Sequence, residues 1–66
     1  MRGEMLMNCL WYEDLTPEEL ADALGLTPED LFRKIFERSD FTEEEMRKIV
    51  MLLGLTEDET ERIFFA

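Results

Sequence analysis

Residues 15–35 read LTPEELADALGLTPEDLFRKI and contain two helix starts of the same kind. Thr16 and Thr27 are each followed by a proline and then by acids. A threonine hydroxyl at the N-cap accepts a backbone N–H, and a carboxylate three residues later completes a capping box. Proline fits the first helical position, and Gly25 suits the left-handed backbone that ends a helix. The stretch therefore predicts two helices joined by a short turn.

The same start signal occurs twice more, at Thr42 and Thr56, each followed by three acids. Gly54 stands in a second LGLT tetrapeptide and repeats the position of Gly25. No segment alternates apolar and polar residues as a half-buried strand does. The sequence predicts an all-α fold, a single compact five-helix domain over residues 1–66, with helices near 4–13, 17–24, 28–37, 43–53 and 57–64.

Apolar residues recur at helical spacing and mark the inner faces of these helices. The predicted inner residues of the second, third and fourth helices are Leu20, Ala21, Leu24, Leu31, Ile35, Met46, Ile49, Val50 and Leu53. The residues expected to fill the core from the junctions are Leu15, Leu26, Phe41 and Leu55. Ile63, together with Phe64 or Phe65, is expected to dock the last helix.

The composition limits the class of protein. A chain of 66 residues makes one domain. A core of this size contributes only about 3–5 kcal/mol net, so the packing must be economical or helped by a partner. A hydrophobic content of 45% argues against disorder, and the absence of a long apolar run predicts no membrane span. The single Cys9 forms no internal disulfide, which suits a reducing cytoplasm as the location.

Three segments together resemble the small phage form of the lambda-repressor-like, XRE/Cro-type helix-turn-helix family. LTPEELADALGLTPEDLFRKI is similar to that family's two central helices, RSDFTEEEMRKIVMLLGL to the segment that follows its recognition helix, and LTEDETERIFFA to its terminal helix. The resemblance implies a helix-turn-helix core whose second helix, the third of the domain, lies in the DNA major groove. It also places Leu6 and Cys9 inward and leaves Leu10, Trp11 and Tyr12 at positions that are usually polar.

The predicted recognition helix carries unusual side chains for this family. With Leu31 and Ile35 facing the core, the outward residues are Glu29, Asp30, Phe32, Arg33 and Phe36. Family members tend to carry Gln, Ser, Thr, Asn, Arg or Lys at such positions, whereas two of these five are carboxylates and two are phenyl rings. Pro17 stands where the family often has a glutamine that holds a phosphate, and proline offers no donor. DNA is therefore an unfavoured partner.

The chain is strongly acidic, with 17 Asp and Glu against seven Lys and Arg and a net charge of −10. Residues 13–30 hold no base and seven acids, namely Glu13, Asp14, Glu18, Glu19, Asp22, Glu29 and Asp30. Three interpretations of this acidic window stay open. It is a solvated surface with helix-capping acids, a DNA-like face for a basic protein, or a surviving DNA-binding surface.

Two aromatic pairs also have alternative interpretations. Phe32 and Phe36 are four residues apart on the outward helix face, where either the C-terminal segment or a homodimer mate covers them, or a partner protein does. Trp11 and Tyr12 either thicken a small core or lie at an interface. The surplus of apolar residues over the needs of one core favours a second chain.

The residues offer little support for catalysis. The chain has no His, its only Cys has no basic neighbour in sequence, and no glycine-rich phosphate loop is present. TEDETE, at residues 56–61, lacks the alternating oxygen ligands and the central glycine of a calcium loop. We therefore expect no enzymatic activity, no cofactor and no metal site.

The leading hypothesis is a protein-interaction module of phage origin that meets a basic nucleic-acid-binding protein or a repressor. Anti-CRISPR proteins and antirepressors are examples of such inhibitors. The candidate partner-binding residues are Glu29, Asp30, Phe32, Arg33, Phe36, Trp11 and Tyr12. The alternative is a phage-type transcriptional regulator that binds DNA as a homodimer through Thr27, Arg33, Lys34 and Arg38. A further alternative is an engineered helical domain without a natural partner, since regular caps and a Glu-rich surface are typical of design.

Overall fold

The computed structural model describes residues 2–37 and 41–65. Within these residues the chain is all-helical, with five α-helices and no strand: α1 Gly3–Tyr12, α2 Pro17–Leu24, α3 Pro28–Phe36, α4 Glu43–Leu53 and α5 Glu57–Phe64. The predicted helices are confirmed to within one residue at each end. None of the helices in the described part is long and apolar enough to cross a membrane.

The threonine caps form as the sequence predicts. The hydroxyls of Thr16, Thr42 and Thr56 each accept the backbone N–H three residues on, at 3.1 Å. The glutamate at that third position accepts the threonine's own N–H in return, at 2.8–3.0 Å. Each reciprocal pair satisfies two backbone donors that a helix start would otherwise leave to water.

The predicted capping box at Thr27 is incomplete, and this expectation was wrong in part. The Thr27 hydroxyl accepts the backbone N–H of Asp30 at 3.1 Å, so the N-cap itself forms. A capping box with its reciprocal bond forms at the starts of α2, α4 and α5, whereas α3 has the single bond. The third residue is aspartate here, one methylene shorter than the glutamates of the other three helices.

Both LGLT tetrapeptides make the same helix-ending turn. Gly25 and Gly54 have φ values of 72° and 60°, the left-handed region that side chains with a Cβ disfavour. The next residue in each case donates its N–H five residues back, Leu26 to Ala21 at 2.8 Å and Leu55 to Val50 at 3.1 Å. The α2–α3 turn is therefore three residues long, and the α4–α5 turn repeats it.

The core is built mainly from the predicted inner faces. Its buried residues are Leu6, Leu10, Leu20, Ala21, Leu24, Leu31, Ile35, Phe41, Ile49, Leu53 and Ile63. Helix α2 packs against α3 and α4, and α1 packs against α5. The radius of gyration, 10.5 Å, matches the value of about 11 Å expected for a folded domain of this length. Each fully buried Leu or Ile stabilises this core by about 1.5–3 kcal/mol.

Helix α1 departs from the expectation that the family resemblance gave. Leu10 was expected at an outward, usually polar position, but it is buried in the core, whereas Cys9 is only half-buried. Leu6 and Leu10 are four residues apart and are the two buried residues of α1. Trp11 and Tyr12 remain exposed, so the interpretation that they thicken the core was wrong.

The two ends of the described chain meet. The backbone N–H of Arg2 donates to the carbonyl of Ile63 at 2.7 Å, which ties the start of α1 to the end of α5. Phe64 is the aromatic residue that docks the last helix, because its ring packs edge-on against Phe41 with centroids 6.1 Å apart. Phe65 stays exposed beside it.

Candidate functional site

The outward face of α3 is a continuous strip of exposed side chains. Its five members are all exposed: Glu29, Asp30, Phe32, Arg33 and Phe36. Leu31 and Ile35, on the opposite side of the helix, are buried and hold α3 against the core. The strip is therefore displayed by a helix whose position is fixed by packing. We call these five residues the α3 face.

The two phenyl rings of the α3 face form a stacked pair. The centroids of Phe32 and Phe36 lie 6.1 Å apart with an angle of 14° between the ring planes. The side chains are 38% and 58% exposed, so the described C-terminal residues leave them uncovered. Phe36 also lies beside Gly3, because a Cβ built there would be 3.5 Å from Phe36 Cε1. The pair is thus partly packed against the domain and still presents a hydrophobic surface to water.

The acidic window runs from the end of α1 to the first turn of α3, and its last two acids, Glu29 and Asp30, belong to the α3 face. Each of its seven acids is exposed: Glu13, Asp14, Glu18, Glu19, Asp22, Glu29 and Asp30. Glu19 is used in the capping box of α2, whereas Glu18 lies in the same first turn without that role. Capping therefore accounts for only part of the window, and the remaining carboxylates give the surface a negative potential.

Trp11 and Tyr12 occupy a separate corner of the domain, at the end of α1. They are 81% and 91% exposed. Trp11 lies at the edge of a shallow cavity of about 300 Å³ whose walls include Met7, Leu15 and Pro17. Trp11 and Tyr12 therefore form a surface that is separate from the α3 face.

Two of the four residues expected to contact DNA in the alternative hypothesis, Thr27 and Lys34, make contacts within the domain. The Thr27 hydroxyl caps α3. Lys34 is only partly exposed, its Nζ lies 3.3 Å from Glu45 Oε1, and it stands 5.9 Å from the centroid of the Phe41 ring. Arg33 is exposed, and Arg38 lies outside the described residues.

The Lys34–Glu45 ion pair links α3 to α4. Burial raises the pKa of the Glu45 carboxyl, but the hydrogen bond from the Thr42 backbone and the Lys34 ammonium outweigh it, and the net pKa is lowered. Glu45 is therefore ionised at neutral pH and serves as a cap and as an ion-pair partner at once.

Cys9 has the surroundings of an unreactive thiol. Burial raises its pKa, and the negative charges of Glu59 and Glu13 raise it further. No cluster of three or more metal-ligating side chains forms among the residues that the structure describes. Cys9 thus behaves as a small apolar residue between α1 and the α4–α5 turn.

An apolar groove between α4 and α5 was missed by the sequence analysis. It consists of two adjoining depressions, of about 480 Å³ and about 350 Å³, that share Val50, Thr60 and Phe65. Met51 and Phe65 on its walls are 82% and 68% exposed. The sequence signal was present, because Met51 and Leu52 widen the apolar stripe of α4 beyond what one core-facing side needs. We call this feature the α4–α5 groove.

No family model, curated protein or solved structure matches this chain. The side chains and their surroundings therefore carry the functional proposal.

Proposed function

We propose that this domain is a non-enzymatic protein-interaction module whose α3 face binds a basic surface of a nucleic-acid-binding protein. In this proposal α2, the turn at Gly25 and α3 form a helix-turn-helix core of phage origin that has lost its DNA role. The three-residue turn and the packing of α2 on α3 support that assignment. The domain acts as an inhibitor that occupies its partner's DNA-binding cleft.

The observation that carries the proposal is the stacked, exposed Phe32–Phe36 pair on the same helix face as the exposed carboxylates of Glu29 and Asp30. Rigid aromatic side chains that become desolvated on binding dominate the affinity of many protein interfaces. Exposed acids increase the rate of encounter with a basic partner and reject an acidic one. The same charges disfavour DNA, because binding to phosphates relies on cationic side chains to replace counterions. Arg33 is the only base on the α3 face.

The proposal predicts which partner chemistry is captured and which residues capture it. Immobilised protein should retain basic DNA-binding proteins from a lysate of the producing cell, and duplex DNA should elute them by competing for the same cleft. Replacing both rings, Phe32→Ser with Phe36→Ser, should abolish capture. Leu52→Ser is the matched control, because Leu52 is a 43% exposed apolar residue on α4 that lies outside the α3 face.

Two outcomes would count against the proposal. Equal capture of the same proteins by the double variant would exclude the α3 face as the binding surface. Salt-sensitive binding of the isolated protein to labelled duplex DNA would instead support a DNA-binding regulator, because such binding weakens steeply as counterions are added.

A further inference from the structure

The α4–α5 groove has the features of a second binding surface that shares no residue with the α3 face. Its apolar side chains come from α4, from Leu55 in the α4–α5 turn and from Phe65 just after α5, and Val50 is half-buried where the two depressions meet. Met46 and Met51 lie along the α4 wall, and unbranched methionine side chains adapt to differently shaped apolar partners. A domain of this size has no need of such an exposed apolar groove for its own core.

The rim of the groove is predominantly acidic. Glu43 stands at the start of α4, Glu57 at the start of α5, and Glu61 one turn further along α5. Arg47 is the one base among the described lining residues. An occupant that carries positive charges beside its apolar side chains would be attracted to this rim.

The backbone chemistry of the groove selects a helical occupant. Both walls are helices whose backbone donors and acceptors are used internally, so neither offers a strand edge to pair with. An extended segment laid on an apolar groove would leave its own N–H and C=O groups without partners, which costs free energy. A helix satisfies these groups internally and presents side chains at positions i, i+3, i+4 and i+7.

We propose that the α4–α5 groove binds a basic amphipathic helix of a partner protein. Apolar residues of that helix fill the two depressions that Phe65 lines, while Lys or Arg residues flanking them meet Glu43, Glu57 and Glu61. A second copy of this chain fits less well. In a symmetric dimer, the three carboxylates of one groove would lie close to the same three of the other copy across a two-fold axis. The net charge of −10 on each chain would add to this repulsion.

The test uses a defined peptide in place of the unknown partner. An Ala-rich peptide of about 18 residues is long enough to be helical in water. It carries Leu at i, i+3, i+4 and i+7 and Lys at the flanking positions, and its twin has Glu in place of every Lys. Amide shifts of the ¹⁵N-labelled protein should move around Val50, Met51 and Thr60 with the Lys peptide, and should not move with the Glu twin.

Side-chain truncations then locate the binding. Met51→Ser and Phe65→Ser should each weaken the Lys peptide about tenfold, the effect of removing one interface anchor. Leu52→Ser should leave the affinity unchanged, because this neighbouring exposed residue is not part of the groove. Both truncated residues are largely exposed, so the fold is expected to survive both changes.

Each other result would overturn the inference. Equal binding of the two peptides would show that the acidic rim does not select a basic helix. Amide shifts centred on Phe32 and Phe36 would place the peptide on the α3 face. Absence of binding by the Lys peptide would exclude the groove as a helix site. Concentration-dependent groove shifts in the peptide-free protein, with a doubled mass in sedimentation equilibrium, would show that a second copy is the occupant. The capture experiment with Phe32 and Phe36 is unaffected by these results.

Discussion

Gly3 and Ile35 are in such close contact that a Cβ at Gly3 would stand 2.7 Å from Ile35 Cγ2 and 3.1 Å from the Ile35 carbonyl oxygen. Helix α1 therefore crosses α3 at a position where only glycine fits. The contact also supports Phe36, which flanks the same glycine. The crossing links the start of the chain to the helix that displays the α3 face.

Replacing this glycine should loosen the crossing. Gly3→Ala is expected to destabilise the domain by about 1–3 kcal/mol. The new methyl group would clash with the Ile35 side chain and the α3 backbone, so α1 and α3 would have to move apart. Urea unfolding followed by circular dichroism measures the change. Gly25→Ala is a useful comparison, since a Cβ there meets nothing within 4 Å and only the left-handed backbone is strained, at a cost of about 1 kcal/mol. A Gly3→Ala protein as stable as the unsubstituted one would contradict the contact.

The incomplete cap of α3 can be completed by one methylene. Asp30→Glu should stabilise the domain by about 0.5 kcal/mol, because the longer side chain reaches the Thr27 N–H as Glu59 reaches that of Thr56. Glu59→Asp, the reverse change, should cost a similar amount. Neither substitution alters the charge, so a shift of the urea midpoint reports capping alone. Stability changes of the same sign in both variants would show that side-chain length at this position is not the cause.

The Lys34–Glu45 pair should make stability depend on acid pH. The folded-state pKa of Glu45 is lowered, so the stabilisation is present above the carboxyl's unfolded value, about 4.3, and is lost as the pH falls through the folded value. Glu45→Gln should remove about 1 kcal/mol at pH 7 and almost nothing at pH 2. Glu44→Gln, a change of an exposed neighbour, is the control. A Glu45→Gln deficit that does not shrink with acidification would exclude the ionised carboxylate as its source.

Trp11 is the only tryptophan and provides a direct optical test of its exposure. We expect the free protein to emit like tryptophan in water and to be quenched readily by acrylamide, because four fifths of this side chain is exposed. Emission that is shifted to the blue and recovers on dilution would mean that another chain covers it. Leu10→Ala, which truncates a buried neighbour, should lower stability by about 2–5 kcal/mol without altering this emission in the folded state.

The helix boundaries and turns could be predicted from the sequence because their causes lie within a few residues. A threonine and its following acids start α2, α4 and α5, and a glycine after the last turn ends α2 and α4, without reference to the rest of the chain. Asp14 has a left-handed backbone conformation, with φ of 57°. The sequence did not predict it, because this turn at the end of α1 lacks a glycine. Aspartate tolerates that conformation better than most residues, and this was the only local signal.

The surfaces were harder to predict because they depend on how helices cross. Leu10 is buried by the way α1 packs in the domain, which the spacing of apolar residues within α1 alone does not determine. The α4–α5 groove likewise arises from the separation of two helices, which apolar spacing within α4 alone does not determine. By contrast, the exposure of Phe32 and Phe36 followed from Leu31 and Ile35 on the other side of the same helix.

The hydrogen bond between Arg2 and Ile63 means that the described chain enters and leaves the domain at one place. Two linkers attached there would emerge side by side, so the fold is suited to insertion into a surface loop of a carrier protein. The same geometry permits circular permutation, in which a short linker joins the original ends and new ends open elsewhere. A domain inserted into a carrier protein in this way would be presented to a binding partner without strain in either linker.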